Sequence, residues 1–268
     1  MDLNITQVLI VCPLVFLAGF VDSIAGGGGL ISLPAYLLAG VPVHNAIATN
    51  KLSSCIGTTV STARFLKNKY ADFVIAIPSI IVALIGSALG AHVSMKVDED
   101  ILKRILLLVL PLAAYFVLKR KKNRTDGEKE KTLSRKQAII LAVLCSFMVG
   151  SYDGFYGPGT GTFLIILYTN LCRMDIKTAS GNAKLVNLSS NIAALVTFLV
   201  NGKTLFVLGL VAAAFCMAGH YLGSGLVMKK GTHIVKPIIL VVLVLLFIKI
   251  TDWNMIYMVL VKLIENLS

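Results

Sequence analysis

The chain reads as an all-α, polytopic integral membrane protein made of two inverted repeats of about five helical segments each, eight long helices plus two short or re-entrant segments. Three observations predict this. Hydrophobic residues make up 57% of the 268 positions and charged residues 14%, a balance that suits lipid as the solvent. The apolar residues gather into runs at 5–21, 45–66, 73–95, 101–118, 136–150, 181–200, 205–228 and 234–250, mostly near the ~20 residues a helix needs to cross a ~30 Å core. The first half also returns in the second, 131 to 133 residues later. Spans of this kind are helices, because an open sheet leaves backbone groups unpaired in lipid.

Taken in order, the run at 5–21 has no Lys or Arg ahead of it, so it lacks the basic start of a cleavable signal and reads as a retained span. It ends in Gly19-Phe20-Val21-Asp22-Ser23-Ile24-Ala25-Gly26-Gly27-Gly28-Gly29, which returns as Gly150-Ser151-Tyr152-Asp153-Gly154-Phe155-Tyr156-Gly157-Pro158-Gly159-Thr160. An aspartate followed by a glycine-rich break therefore occurs twice. The pieces after the breaks, 29–40 and 161–172, would span only ~18 Å as helices, so whether each crosses or re-enters is open. Beyond them the repeat continues at an offset of 133: Lys51-Leu52 with Lys184-Leu185, Phe65-Leu66 with Phe198-Leu199, Asn68 with Asn201, Phe73-Val74 with Phe206-Val207, and Leu89-Gly90 with Leu222-Gly223. The expected organisation is a first membrane repeat at 1–118, a basic cytoplasmic linker at 119–136, a second repeat at 137–250 and an interfacial or packing segment at 251–268.

The net charge of +12 comes with a location that explains it. Nine of the 25 basic residues fall in the linker at 119–136, which marks topology by the positive-inside rule rather than a nucleic-acid partner. If each short piece counts as one pass, seventeen basic residues lie in cytoplasmic loops against four outside; if neither counts, the split is thirteen against eight. The first arrangement follows the rule better. It gives five segments per half, hence inverted repeats, with the N-terminus outside and the linker cytoplasmic.

Two of the lysines outside these loops are matched by the repeat. Lys51 and Lys184 occupy equivalent positions within long helices, beside Asn50 in one half and Asn182 and Asn187 in the other. An ionisable group inside a span costs several kcal/mol unless it faces a cavity or a partner, and snorkelling to the interface is the alternative. Asp22 and Asp153 are candidates for coupling a proton, for pairing with a lysine, or for capping backbone N–H groups at the break. Gly27, Gly28 and Gly29, with Gly159 and Gly161, permit close backbone approaches, and the short helices that follow present N–H groups suited to an anion.

Other chemistry is not signalled. The chain carries no H-E-x-x-H, G-x-S-x-G or phosphate-loop pattern, so an enzyme is not expected. Cys12, Cys55, Cys145, Cys172 and Cys216 are dispersed, and His44, His92, His220 and His233 are isolated along the chain. They predict no metal, cofactor or disulfide framework. His44 is an interfacial residue or touches substrate.

The run from Gly19 to Pro34, with Ala48-Thr49-Asn50-Lys51 and the second-half copies Asp153 to Gly161 and Asn182 to Asn187, resembles the sulfite exporter TauE/SafE family, also called the toluene-sulfonate uptake permease family. The resemblance covers nearly the whole chain. It implies secondary transport of a small anion such as sulfite, a sulfonate or another sulfur-containing or organic anion across the bacterial cytoplasmic membrane. Partners would be that anion, the bilayer and, in a homo-oligomer, further copies of the chain. A passive anion channel and a non-transporting assembly protein are the alternatives. The second break has fewer glycines than the first, so the two half-sites are expected to differ.

Overall fold

The computed structural model describes residues 4–105, 109, 115 and 133–230. The linker at 119–136 lies almost wholly, and the segments at 234–250 and 251–268 wholly, outside the described residues. The helices are α1 (Ile5–Ala25), α2 (Gly29–Leu38), α3 (Val43–Lys67), α4 (Phe73–Lys96), α5 (Arg135–Phe155), α6 (Thr160–Asn170), α7 (Ile176–Val200) and α8 (Phe206–Lys230). A further helical stretch begins at 99 and is described to 105. No strand occurs among the described residues. The repeat read in the sequence sets these boundaries: α3 and α7 start and stop 133 residues apart, and α2 and α6 start 131 apart.

The halves are interleaved rather than side by side. α1 packs along α8, and α4 packs along α5, so the fourth helix of each half embraces the first helix of the other. Both seams are close because they are lined by small residues. A Cβ at Gly150 would stand 2.9 Å from the Cα of Ala83, and one at Gly223 would meet the carbonyl of Phe20. Small residues and serines thus face inward on α4, while Phe73, Ile77, Ile81, Ile85, Leu89 and Val93 form an exposed stripe at four-residue spacing on its outside. An apolar exterior around a small-residue interior is the arrangement lipid demands.

Contacts fix the relative directions. Asn45 donates to the Lys203 carbonyl at 2.8 Å, Lys51 donates to Asn191 at 3.0 Å, and the Asp72 N–H donates to Asn182 at 2.9 Å. As one chain ascends through α3, its partner descends through α7, so these two copies of one helix run antiparallel. α8 runs with α3, since Leu52 lies against Gly209, Ser61 against His220 and Arg64 against Ser224. α1 also runs with α8, from Gly19 beside Cys216 to Ser23 beside Gly223. Since α1 and α3 therefore point the same way, the ten-residue α2 is the arm that carries the chain back between them.

The turn at 68–72 and the starts of α5 and α7 consequently share one end of the molecule, where Arg135 lies 3.8 Å from Asp72 and Lys177 sits over the Tyr70 ring. The start of α3, the 201–205 turn and the segment after α4 share the other, joined by the bonds of Asn45 and by His44 with Glu99 at 3.3 Å.

Among the described residues five helices, α1, α4, α5, α7 and α8, are long and apolar enough to cross a membrane. α3 is equally long at 25 residues but is not among them. Its Thr49, Asn50, Lys51 and Ser53 are buried, so its polarity belongs to the interior of the molecule.

Replacing Gly150 by Val forces α4 and α5 apart and is expected to cost roughly 1–3 kcal/mol. Thermal unfolding of purified protein in detergent measures this, and an unchanged midpoint would show that the seam is not close-packed.

Candidate functional site

The two glycine breaks meet at the centre of the interleaved halves. α1 ends in Gly26 at φ 78°, and α6 begins after Gly159 at φ 83°, a backbone region that side chains with a Cβ disfavour. The breaks touch through backbone: the Thr162 N–H donates to the Gly26 carbonyl at 3.1 Å, its hydroxyl donates to the Ala25 carbonyl at 2.7 Å, and a Cβ on Gly161 would lie 2.7 Å from the Cα of Gly26. No larger residue fits at this crossing. A small, partly open cavity forms beside it.

The charges of the site are paired across the halves. Lys184 of α7 donates to the Asp22 carboxylate of α1 at 2.7 Å and to the Asp22 carbonyl at 2.5 Å. Lys51 of α3 lies 2.8 Å from the Asp153 carboxylate of α5. Each aspartate is thus neutralised by the lysine of the opposite repeat. All four residues are buried, none more than 8% exposed. Desolvation makes such pairs costly to break, because the survivor is left as an uncompensated charge.

The two pairs are not equally supported. Asp153 also accepts from the Thr160 hydroxyl and the Ser190 hydroxyl, both at 2.7 Å, and Lys51 is held by Asn191. Asp22 accepts, besides Lys184, the Gly28 N–H at 3.1 Å, and the imidazole Nε2 of His220 stands 3.8 Å from its second oxygen.

Of the residues singled out in the sequence, Asp22, Gly28, Gly29, Asn50, Lys51, Asp153, Gly159, Gly161 and Asn187 line the cavity. Lys184 sits behind Asp22 as its partner. Gly27 lies in the break, where its carbonyl accepts the Leu30 N–H at 3.1 Å. Asn182 is elsewhere: it ties the 68–72 turn through the Asp72 N–H, as its repeat counterpart Thr49 ties the opposite turn through the Leu205 N–H at 3.0 Å. His44 is also outside the cavity, between Glu99 and the Ser94 carbonyl. Part of the helix N-terminal donor capacity is already used, since Gly28 serves Asp22 and Thr162 serves Gly26.

Sequence reasoning missed Asn191, Thr160, Ser190 and His220. The repeat alignment held a signal for the last two: at the offset of 133, His220 faces Ser87 and Gly57 faces Ser190, so the halves differ at the positions surrounding their ion pairs. No cluster of three or more metal-ligating side chains occurs among the described residues.

Antiparallel copies interleaved around a buried, charged cavity, within an apolar exterior, define a multi-pass membrane protein of the duplicated, solute-handling kind. The chain belongs to the sulfite exporter TauE/SafE family, whose pattern matches residues 11–250. It is 37% identical to the "Probable membrane transporter protein YfcA" of Escherichia coli strain K12, over 84% of this chain and 82% of that one. It is 34% identical to "Probable membrane transporter protein ORF9" of Sinorhizobium sp, over 88% of each, and 34% identical to a "Probable membrane transporter protein" of Haemophilus influenzae, over 90% of this chain and 93% of that one. No solved structure matches the chain significantly.

Removing one partner of a buried pair, as in Asp153→Asn or Lys184→Met, is expected to destabilise the protein by about 3–5 kcal/mol, with the neutral double variant Lys51→Met/Asp153→Asn recovering much of that loss. A double-mutant cycle on unfolding midpoints in detergent checks it; additive single effects would show the pair to be uncoupled.

Proposed function

We propose that the protein is a secondary transporter that moves a small anion, such as sulfite, a sulfonate or another sulfur-containing or organic anion, across the cytoplasmic membrane by alternating access. The observation that carries this reading is the cavity at the crossing of the two glycine breaks, lined by Lys51, Asn50, Asn187 and Asn191 and bordered by the Asp22–Lys184 pair. A small anion placed there meets an ammonium group and amide donors without leaving the protein interior, which is where membrane proteins keep functional charges. The relatives, each named a probable membrane transporter protein, support the same class.

The interleaved halves also suit alternating access. Antiparallel copies related by the repeat present the same cavity residues to opposite ends of the molecule, and rocking one set of helices against the other exposes a fixed site to each side in turn. The end that carries Lys67, Lys69, Arg135 and Lys177 is the richer in basic residues, so we assign it to the cytoplasm, with the N-terminal end of α1 outside. In this reading the two half-copies are inverted with respect to the bilayer.

The test is flux in liposomes. Purified protein is expected to accumulate radiolabelled sulfite or methanesulfonate when a pH gradient is imposed, and the charge-neutral variant Lys51→Met/Asp153→Asn is expected to lose that flux while inserting normally. Dissipation of an anion gradient without any accumulation would favour a channel. Absence of flux for every small anion offered would favour an assembly role.

A further inference from the structure

Two glycines hollow out a place for one histidine. A Cβ on Gly57 of α3 would stand 2.8 Å, and one on Gly19 of α1 3.0 Å, from the Cδ2 of His220 on α8. His220 fills this space with 1% of its surface exposed, and its ring lines the cavity. The other half has nothing comparable: the position equivalent to His220 is Ser87, which donates to the Ser190 carbonyl, and the position equivalent to Gly57 is Ser190, which donates to Asp153. A titratable imidazole therefore stands beside one ion pair and two serines stand beside the other.

The hydrogen bonds around the ring show where a proton would go. Nδ1 lies 3.0 Å from the Ser61 hydroxyl, whose single hydrogen is within reach of the Thr58 carbonyl at 3.1 Å. With that hydrogen given to Thr58, Nδ1–H donates to Ser61, and Nε2 carries a lone pair towards the Asp22 carboxylate at 3.8 Å. The charged and titratable neighbours are Asp22 from α1, Lys184 from α7 and Cys216 one turn earlier on α8, with Lys51 and Asp153 across the cavity. Arg64 of α3 lies a turn further along and is bound to the Tyr221 carbonyl and the Ser224 hydroxyl.

Charge balance then gives His220 a task. With the imidazole neutral, two carboxylates and two ammonium groups cancel around the cavity. An entering anion adds a negative charge beyond this balance, and an uncompensated charge in a buried site is strongly disfavoured. Asp153 has its oxygens occupied by Lys51, Thr160 and Ser190, whereas Nε2 of His220 makes no hydrogen bond among the described residues and stands beside a carboxylate.

Resting on the transport reading above, we propose that His220 is the proton-binding residue that couples proton movement to the anion. A proton taken up at Nε2 makes the ring a second counter-ion for Asp22, which releases the Lys184 ammonium to the anion. One proton and one monovalent anion then enter the site together and leave it neutral. The coupling lies in the first-half ion pair, and the Lys51–Asp153 pair stays closed as the fixed one.

Two measurements on the full chain test this with His220→Gln, which keeps a side-chain amide towards Ser61 but takes up no proton. Infrared difference spectra of histidine-labelled protein in detergent, between about pH 8 and about pH 5, span the range in which imidazole ordinarily titrates. They are expected to show an imidazolium band that is lost in His220→Gln; no such residue-220 band overturns the proposal whatever the anion. In liposomes, the unmodified protein is expected to exchange labelled for unlabelled methanesulfonate faster at about pH 5 than at about pH 8, and His220→Gln is expected to lose both that pH dependence and accumulation driven by a pH gradient. Gradient-driven accumulation equal to the unmodified protein's overturns it, as does exchange by His220→Gln that keeps the unmodified protein's pH dependence. If the unmodified protein moves neither anion, the transport reading fails, and the infrared result decides the proton site by itself.

Discussion

Each half of this chain buries a carboxylate that only the other half neutralises. Asp22 pairs with Lys184 and Asp153 with Lys51, and neither half has a second lysine on the described part of its helices facing the site. Separating the halves would leave four desolvated charges without partners, so the interleaving of α1 with α8 and of α4 with α5 is bound to the placement of these charges. The glycine seams serve the same arrangement, because only close backbone approach brings Asp22 and Asp153 within reach of lysines on α7 and α3.

A duplicated scaffold does not oblige its two sites to be equal. The backbone obeys the repeat closely: α3 and α7 match end to end, and Thr49 and Asn182 tie equivalent turns through equivalent N–H groups. The side chains around the ion pairs depart from it. Asp153 is enclosed by hydroxyls, whereas Asp22 borders an imidazole and the cavity. The frame follows the repeat, and the asymmetry of its lining gives the two ion pairs different surroundings.

Polarity is distributed accordingly. α4 turns a stripe of large aliphatic and aromatic residues outward and small residues inward, as a lipid-facing helix must. α3 does the reverse over much of its length, burying Thr49, Asn50, Lys51, Ser53, Thr58 and Ser61. Its failure to read as an apolar span follows from these buried groups: Thr49, Asn50, Lys51 and Ser53 face protein, not lipid.

The sequence alone determined the class of protein, the duplication and most helix positions, because composition, run length and a repeat at constant offset are linear properties. It also marked Asp22, Asp153, Lys51 and Lys184 as equivalent pairs, since a charge inside an apolar run stands out wherever the chain folds. Tertiary structure alone decided which aspartate meets which lysine, that Asn182 ties a turn instead of lining the cavity, and that His220, 198 positions from Asp22, stands beside it. Those outcomes depend on how α7 and α8 lie across α1. That depends on small residues along the seams, and a one-dimensional pattern specifies their spacing without specifying the helix they will face.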